Sequence, residues 1–473
     1  MALQFTRNAS VFVEVVDGST GAPIDAWKLS VLDGFSFTQS INSSEITINE
    51  AGQTSRRARL LFNDSLAPVE WSLSTYARPT VGVSTVAGTI VGARMPEEAL
   101  WAMAVGSDSY DRATGVFSNS GAAGSPAVNV HTTTTANTIN FNGSNVSSFS
   151  DNWNLYFAFE DGANTQYYKL NNSVVNSMSM DFDIDGIATV SWSGFSKSLE
   201  DVGTVKPGFI AASVATPAVS YAITGGSNTA TEVTATVADT TGIAAGSTVF
   251  IEDNAETVTN DLNGAKVTSV VANTSITYEN TGGAAPTASG TIGTTPVANK
   301  ARPVIATGLT STTNFIRNRI STVTMARLGD LAETYDLVLT GGSFTLENNI
   351  NYLTPEELGT VNAPLANITG ARSISGSMTC YLDNDGTGNT KSGGLFADLV
   401  ADTATIRNDF DMQLQMGGSE SDTPRVYLYL PHAHVEIPTI NVEDLLTLEI
   451  NFHGQVANGN VDNTDEATII YNT

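Results

Sequence analysis

The chain has 473 residues, of which 48 are acidic and 21 are basic, giving a formal net charge of -27. This length exceeds one ordinary hydrophobic core, and an acidic surface repels phosphate, so the charge argues against tight nucleic-acid binding. Cys380 is the only cysteine, which excludes an internal disulfide framework and a thiolate cluster for zinc or iron–sulfur.

The composition predicts a mainly β protein. Gly occurs 41 times, charged residues make up only 15%, and Ser, Thr, Asn and Val are abundant, as in short strands joined by turns. Glu14 and Asp17 interrupt the first apolar positions, so we expect no signal peptide, and no apolar run reaches the length of a membrane-spanning helix, about 18 residues.

The first domain is predicted to span residues 1–211. Acidic residues follow Pro96, as is common where a helix begins, and they predict a short helix over the segment from Pro96 to Met103. A hairpin is predicted from Asn154–Phe159 and Tyr167–Leu170, and two closing strands from Met178 to Gly194.

Residues 212–305 have no counterpart elsewhere in the chain, which predicts an inserted small all-β domain. Gly, Ala, Thr and Pro punctuate both of its ends, as in exposed linkers. Ala272–Thr274 is predicted to form a tight turn. The predicted strands are Thr231–Val237, Thr248–Asp253, Ala265–Val271 and Ser275–Glu279.

Residues 306–473 repeat features of the first domain, which predicts an internal duplication and a second domain. The spacing from Leu32 to Leu339 is shared by five further identities, among them Phe37 with Phe344. The matching positions are Leu32, Gly34, Ser36, Phe37, Thr38 and Asn42 against Leu339, Gly341, Ser343, Phe344, Thr345 and Asn349. Further counterparts are the helical candidate Leu395–Ala401, the strands Met412–Met416 and Val426–Leu430, and the closing strands within His434–Gly454.

The chain lacks the patterns of a catalytic or metal site, so we expect no enzyme and no cofactor. His432 and His434 alternate on a predicted strand and could share a metal, but no third ligand can be named. The run from Asp181 to Gly186 begins like a calcium loop, yet Trp192 stands where the bidentate Glu belongs. Alternation on a strand would instead place its three Asp carboxylates on one face.

Particular runs in both halves resemble the major tail tube proteins of long-tailed, siphovirus-type bacteriophages, of the type with two fused tube domains per chain. The resemblance covers both halves but not the insert. It rests on Trp27–Asn42, Ile46–Gly52, Pro68–Tyr76, Asn314–Arg319, Gly341–Ile350 and Leu353–Asn362.

The resemblance implies tube domains that are β-sandwiches with a flanking helix, six of which close a ring with a continuous inner wall. Because this chain carries two such domains, three copies should suffice, giving a trimeric, pseudo-hexameric ring. Stacked rings would form the tail tube of the virion, assembled in the host cytoplasm, with tape measure and tail terminator or tip proteins as partners and no membrane.

Two groups of residues are predicted to serve the tube. An acidic bore would let double-stranded DNA pass without sticking, and its candidate wall acids are Asp33, Glu70 and Glu347. The alternative is that these acids face solvent outside the tube or pair with arginine at subunit contacts. The polar segments Asn42–Ala67 and Asn351–Gly370 are too long for hairpin turns and are natural arms toward a neighbouring ring. Their candidate contacts are Glu45, Glu50, Arg56, Arg57, Arg59, Glu356 and Glu357, with a solvated loop as the alternative.

Other functions stay open on the sequence alone. A multi-domain β-sandwich adhesin or carbohydrate-binding protein would share the composition, but the missing secretion signal disfavours it. A tail-spike glycosidase would require repeats of about 20 to 25 residues, and none is found. The insert is predicted to decorate the outside of the tube, with or without a binding role.

Overall fold

The computed structural model describes residues 9–16, 23–48, 58–83, 90–95, 97–107, 109–111, 116–118, 128–129, 136–141, 153–161, 164–184, 186–203, 219–252, 262–280, 284–286, 290–293, 315–328, 330–356, 361–384, 390–401, 408–418, 424–442, 444–456 and 466–472.

Strands dominate the described chain, which confirms the mainly β prediction. Up to residue 203 they are β1 (Ala9–Val16), β2 (Pro23–Leu29), β3 (Ser36–Ile48), β4 (Ala58–Tyr76), β5 (Thr80–Val83), β6 (Ile90–Arg94), β7 (Ser109–Asp111), β8 (Val116–Ser118), β9 (Val128–Asn129), β10 (Ala136–Phe141), β11 (Trp153–Asp161), β12 (Asn164–Asn171), β13 (Val174–Asp181), β14 (Thr189–Ser196) and β15 (Ser198–Gly203), with helix α1 at Glu98–Ala104. The insert contributes β16 (Ser220–Asn228), β17 (Glu232–Val237), β18 (Thr248–Glu252), β19 (Leu262–Val271), β20 (Ser275–Glu279) and β21 (Thr291–Gly293). The last part contains β22 (Thr322–Arg327), β23 (Asp330–Leu337), β24 (Leu339–Glu347), β25 (Ile350–Leu353), β26 (Ala366–Thr369), β27 (Ser373–Tyr381), β28 (Phe410–Gly417), β29 (Arg425–Val435), β30 (Thr439–Val442), β31 (Leu446–Gly454) and β32 (Ala467–Asn472), with helix α2 at Ser392–Ala401.

One antiparallel sheet, the central sheet, contains strands from the part of the chain before the insert and from the part after it. Its order is β3-β4-β14-β13-β24-β27-β31, and the run from Ala433 to Val442 pairs along the other side of β31. Strands β13 and β24 lie side by side although the whole insert separates them in sequence. Just after β13, the Phe182 amide donates a hydrogen bond of 3.0 Å to the Gly342 carbonyl across this junction. The part of the chain before the insert and the part after it are therefore joined by strand pairing.

A second layer of strands packs on one side of the central sheet. In the first part of the chain its order is β2-β1-β11-β12-β15, and in the last part it is β23-β22-β28-β29. Strand β32 pairs with β29 on one side and with β10 on the other. The strand nearest the C-terminus thus also links the two parts.

The two predicted helices and the predicted hairpins are present. Helix α1 begins two residues after Pro96, and α2 lies where its counterpart was expected. The hairpin β11–β12 and the pair β28–β29 extend the predicted strands by a few residues at their ends. These elements follow from local alternation and turn residues.

A single apolar core lies between the central sheet and the second layer. Trp101 of α1 packs edge-on against Trp192 of β14, with ring centroids 4.9 Å apart, and its indole nitrogen donates a hydrogen bond of 3.1 Å to the Tyr471 hydroxyl. Both tryptophans are buried, and burying a large side chain contributes about 1.5 to 3 kcal/mol. The core therefore connects α1, the central sheet and the last strand.

The insert forms a six-stranded barrel with its own core. The pairings β16-β17-β20-β19-β18-β21 return from β21 to β16 and close the cycle. Four of these strands were predicted, and so was the turn over Ala272–Thr274, in which Asn273 has left-handed backbone with a φ of 50°. Strands β16 and β21 were missed because Gly and Thr obscure their alternation.

The two predicted arms differ from expectation, since their described residues are paired strands. Strands β3 and β4 remain paired out to Ile48 and Ala58, and β25 pairs with β26. Apolar and β-branched residues recur along them, as in Ile46–Ile48 and Leu60–Phe62, and such residues favour extended backbone. We call β3 beyond Ser40 with β4 before Val69 the first arm, and β25 with β26 the second arm.

Polar sheet face, open edges and arms

One face of the central sheet is lined by small hydroxyl side chains, and we call it the polar face. Alternate residues of each strand point to opposite faces. In β4, for example, Trp71 and Leu73 are buried whereas Ser72 and Ser74 are partly exposed. One row across the sheet consists of Ser36, Ser72, Ser193, Ser177, Glu347 and Ser373, and the next of Ser74, Ser191, Ser179, Thr345, Ser375 and His453.

Hydroxyls of the polar face are hydrogen bonded to one another across strands. Ser36 and Ser72 are joined at 2.9 Å, and Ser74 and Ser191 at 3.2 Å. A hydroxyl has one donor and two acceptor positions, so each retains capacity to bind water. The polar face is therefore a hydrated surface of short side chains.

Two of the three predicted wall acids lie on the polar face. Glu70 of β4 and Glu347 of β24 are both exposed there. Asp33 does not lie on a strand of this sheet, because Asp33 and Gly34 form the turn before β3, where Gly34 has a φ of 99°. The sequence prediction placed Asp33 on a strand. Asp and Gly favour turns, however, and these two residues form one.

Three further acids on the polar face were missed by the sequence prediction. Asp181 ends β13 opposite Ser343, and Glu449 lies opposite Thr379. The Glu436 carboxylate lies 3.3 Å from a ring nitrogen of His453 on the same face. Their alternation was visible in the sequence, but their face depends on strand register. Apart from Arg59 in the first arm, no strand of the central sheet contains lysine or arginine.

The pairing of β13 with β24 forms a seam inside the chain. Across it Met180 is opposite Phe344 and Met178 is opposite Leu346, on the buried face. Ser179 is opposite Thr345 on the polar face. The seam thus combines backbone hydrogen bonds, a buried apolar row and a polar row.

The central sheet has two open edges within the described residues. At one end β3 pairs with β4 alone, and at the other the run 435–442 pairs with β31 alone. Ile437 and Ile440, in the second edge, are 54% and 40% exposed. Unpaired edges with exposed apolar residues favour pairing with another strand.

The first arm contains an ion pair among its predicted contact residues. The Arg59 guanidinium lies 3.1 Å from the Glu45 carboxylate, and both side chains are exposed. These two charges therefore face each other within one hairpin. Glu356 is exposed after β25, and Glu50, Arg56, Arg57 and Glu357 lie outside the described residues.

The two arms extend from the same end of the central sheet and touch each other. Strands β3 and β24 run in the same direction, because an even number of antiparallel steps separates them. The Leu66 amide donates to the Asn362 carbonyl at 2.7 Å, and the Asn362 amide donates to the Asp64 carbonyl at 3.0 Å. The first arm is therefore hydrogen bonded to the connection between the two strands of the second arm.

A buried carboxyl group stands beside α1. Glu97 is fully buried, and neither of its oxygens makes a hydrogen bond of full geometry within the described residues, although the Tyr471 hydroxyl lies near enough to interact. Burial raises the pKa of Glu97 to about 8, and the nearby Tyr471 and Arg78 offset only part of this effect. The Arg78 guanidinium lies 4.6 Å from the centre of the Phe315 ring.

The described residues contain no group of three or more potential metal ligands. His432 lies 3.1 Å from the Asp409 carboxylate, and His434 lies 3.3 Å from the Asn408 carbonyl. The expected row of three Asp carboxylates does not form, because β13 ends at Asp181 and Asp183 lies in the following turn. Asp185 lies outside the described residues.

No helix in the described part of the chain is long and apolar enough to cross a membrane. No protein-family model matches the sequence. The sequence is similar to the tail tube protein pb6 of Escherichia phage T5, with 26% identity over 467 residues that cover 96% of this chain and 72% of the relative. Together with the mainly β fold, this similarity supports a major tail tube protein of a long-tailed bacteriophage, a structural component of the virion and not an enzyme.

Proposed function

We propose that three copies of the chain close into a ring of six tube domains, and that stacked rings form the conduit for phage DNA. The domains would be residues 1–211 and 306–473, joined in tandem by duplication, with 212–305 as an insert. The observation that carries this proposal is the internal seam, since the two open edges of the central sheet correspond to the two strands that the seam joins.

In the proposed ring, an open edge of one central sheet pairs with the opposite open edge of the next chain. The repeat spacing predicts which residues lie opposite each other there. Trp192 pairs with Met178 and Phe452 pairs with Val435, so Val435 occupies the position of Met178. Met178 pairs in turn with Leu346, whose counterpart at the repeat spacing is Gln39. Val435 of one chain would therefore lie opposite Gln39 of the next, and Glu436 opposite Thr38.

Ring closure would satisfy the backbone groups at both open edges. A sheet without edges has no unpaired strand for unwanted association. The exposed Ile437 would be covered near Phe37, as Met180 is covered near Phe344 inside the chain. Closure would therefore bury apolar area as well as pair strands.

The polar face would line the bore. Its hydroxyls are neutral, and its acids are Glu70, Asp181, Glu347, Glu436 and Glu449. Outside the first arm, the described strands of this face contain no lysine or arginine. Each cationic contact to phosphate strengthens binding through counterion release. A face without cations would let DNA pass without being held.

The insert would decorate the outside of the tube. Ser220 pairs with Gly293, so the barrel's two ends lie side by side, as expected of an inserted domain. The preceding strand, β15, belongs to the second layer and not to the polar face.

The remaining expectations concern assembly. The predicted inter-ring residues Glu45, Glu50, Arg56, Arg57, Arg59, Glu356 and Glu357 stay proposed contacts between rings. Tape measure and tail terminator or tip proteins stay proposed partners, and the host cytoplasm stays the proposed place of assembly.

A disulfide across the predicted seam tests the ring. The double variant Thr38→Cys with Glu436→Cys should, on oxidation, give dimers and trimers but nothing larger on a non-reducing gel. Both positions are exposed, and the native Cys380 is fully buried. Each single variant is the matched control and should remain monomeric on the gel.

Cross-linked species of up to six chains on the gel would refute the trimer. Ring averages from electron micrographs with true sixfold symmetry, in which alternate domains do not differ, would also refute it. Tubes of the double variant that form normally but give no cross-link on oxidation would refute the assigned register.

A further inference from the structure

The second layer has a small buried cluster on its outer face, the face that is turned away from the central sheet. In β1 and β11 alternate residues such as Val13 and Leu155 point into the main core, and the residues between them point outward. Three of the outward-pointing aromatic residues, Phe12, Tyr156 and Tyr167, are nevertheless buried and form a separate apolar cluster. Polar groups in this cluster are therefore shielded from water.

Two buried polar side chains of the cluster, Glu14 and Asn154, are hydrogen bonded to each other. They lie opposite each other on β1 and β11 and are 2% and 5% exposed. The Asn154 amide nitrogen donates a hydrogen bond of 2.9 Å to a Glu14 carboxylate oxygen, which also accepts one of 3.0 Å from the Tyr156 hydroxyl. Burial raises the pKa of Tyr156 well above its ordinary value, and the Glu14 carboxylate adds to the effect. Glu14 thus holds the amide nitrogen of Asn154 in a water-poor setting.

The carbonyl oxygen of the same Asn154 side chain is held by a backbone amide. The Asn172 N–H donates a hydrogen bond of 3.2 Å to Asn154 Oδ1. Asn172 has left-handed backbone with a φ of 52°, which is uncommon for residues other than glycine and is tolerated by asparagine. A donor fixed at a carbonyl oxygen stabilises the negative charge that develops there when a nucleophile attacks the carbon. The Asn154 side chain is therefore activated at both ends of its amide group.

A primary amine lies within reach of this amide group. Lys169 of β12 pairs with Tyr156, two residues along β11 from Asn154, and the Cα atoms of such diagonal neighbours are about 7 to 8 Å apart. The Lys169 ammonium lies 5.9 Å from the centre of the Tyr156 ring, so it is on the same outer face. The flexible four-carbon stem of lysine can span the remaining distance. Glu14, Asn154 and Lys169 therefore stand on three neighbouring strands of one face.

We propose that Lys169 and Asn154 form an isopeptide bond in the folded protein, with Glu14 as the group that transfers the protons. The fold brings together a nucleophile, an amide carbon activated by a backbone N–H, and a buried carboxylate at the leaving nitrogen. The bond joins β11 to β12 on the outer face of the second layer. This modification does not depend on ring formation or on the proposed function.

The reaction exchanges one amide for another, and nothing is oxidised or reduced. The Glu14 carboxylate takes a proton from the Lys169 ammonium, since a water-poor cluster favours neutral groups over charged ones. The neutral Nζ attacks Cγ of Asn154, and Glu14 passes its proton to Nδ2 and takes a second proton from Nζ. The Nζ–Cγ bond forms and the Cγ–Nδ2 bond breaks. Ammonia leaves, accepts the proton from Glu14 and departs as ammonium.

A second lysine beside the cluster offers a matched control. Lys28 of β2 lies opposite Phe12, and its ammonium lies 5.9 Å from the centre of the Phe12 ring. Strand β1 separates Lys28 from Asn154, so Lys28 borders the same cluster without being a neighbour of the amide. Lys28 is also exposed, whereas Lys169 is partly buried. Lys28 should therefore not react.

The mass of the full chain tests the proposal. Intact-protein mass spectrometry should give a mass below that of the sequence by one ammonia molecule. Cyclisation of an asparagine that precedes a glycine would cause the same loss, so the position must also be determined. Trypsin should fail to cleave after Lys169 and should release residues 113–197 as one peptide, whose fragment ions place the bond between Lys169 and Asn154.

Three variants locate the reacting groups. Lys169→Arg and Glu14→Gln should have the full mass of their sequences, and trypsin should cleave Lys169→Arg after position 169. The control Lys28→Arg should keep the loss of ammonia. Circular dichroism reports whether each variant is folded, and the mass of the unaltered protein decides the case if Glu14→Gln does not fold.

Unaltered protein that has the full mass of its sequence and is cleaved after Lys169 would overturn the proposal. The same loss of ammonia in Lys169→Arg would also overturn it, because the loss would then arise elsewhere in the chain. A full mass for folded Lys28→Arg would show that the assignment to Lys169 is wrong.

Discussion

Replacing Glu97 with glutamine should stabilise the protein, and increasingly so as the pH rises. Glu97 is fully buried beside α1, and its oxygens make no hydrogen bond of full geometry among the described residues. Burial raises its pKa from the ordinary 4.5 to about 8. The nearby Tyr471 hydroxyl offsets only part of the effect of burial. Glutamine has nearly the same shape and cannot ionise.

The direction of the pH dependence of stability follows from proton binding. Between pH 4.5 and about 8 the folded protein keeps a proton on Glu97 that the unfolded chain has lost. The free energy of unfolding therefore falls as the pH rises through this window, by up to about 1.4 kcal/mol for each pH unit. Over the whole window the loss is on the order of 3 to 5 kcal/mol.

The assay is urea unfolding followed by tryptophan fluorescence at pH 6 and pH 9, at protein concentrations below those that form tubes. Trp101 lies one turn along α1 and reports this part of the core. The advantage of Glu97→Gln over the unaltered protein should be larger at pH 9 by about 2 kcal/mol or more. Glu356→Gln, at an exposed position, is the control and should show the same difference at both pH values.

An equal effect of Glu97→Gln at pH 6 and pH 9 would refute the reasoning. So would destabilisation that grows with pH, because it would mean that the carboxylate is stabilised by a partner in the folded chain.

Three further predictions concern the sheet, the bore and the insert. Gly342→Val should prevent stable folding or cost more than about 2 kcal/mol, measured by urea unfolding, because its Cβ would stand 2.5 Å from the Phe182 ring and closer to the Ser377 carbonyl. Ser191→Lys should leave tubes intact but slow DNA ejection in a salt-dependent way, measured by the release of DNA from particles that carry the variant; unchanged ejection at low salt would argue against a bore lined by the polar face. Removal of residues 219–293 should leave tube formation unchanged in electron micrographs and narrow the tube's outer diameter, and a loss of rings would show that the barrel contributes to closure.

The sequence by itself determined the local elements. Alternation and turn residues placed both helices and the hairpin β11–β12, and the repeat from Leu32 to Leu339 indicated that the two parts share a pattern. The resemblance to tail tube proteins came from the same runs. These features are patterns of residues along the sequence, so they can be recognised from the sequence without the structure.

The tertiary structure decided which residues share a surface. The pairing of β13 with β24 places Asp181 beside Ser343, and the register along β31 places Glu449 on the same face. Glu97 is buried only because strands remote in sequence pack around α1. Strand register and burial arise from contacts between distant parts of the chain, and no local pattern specifies them.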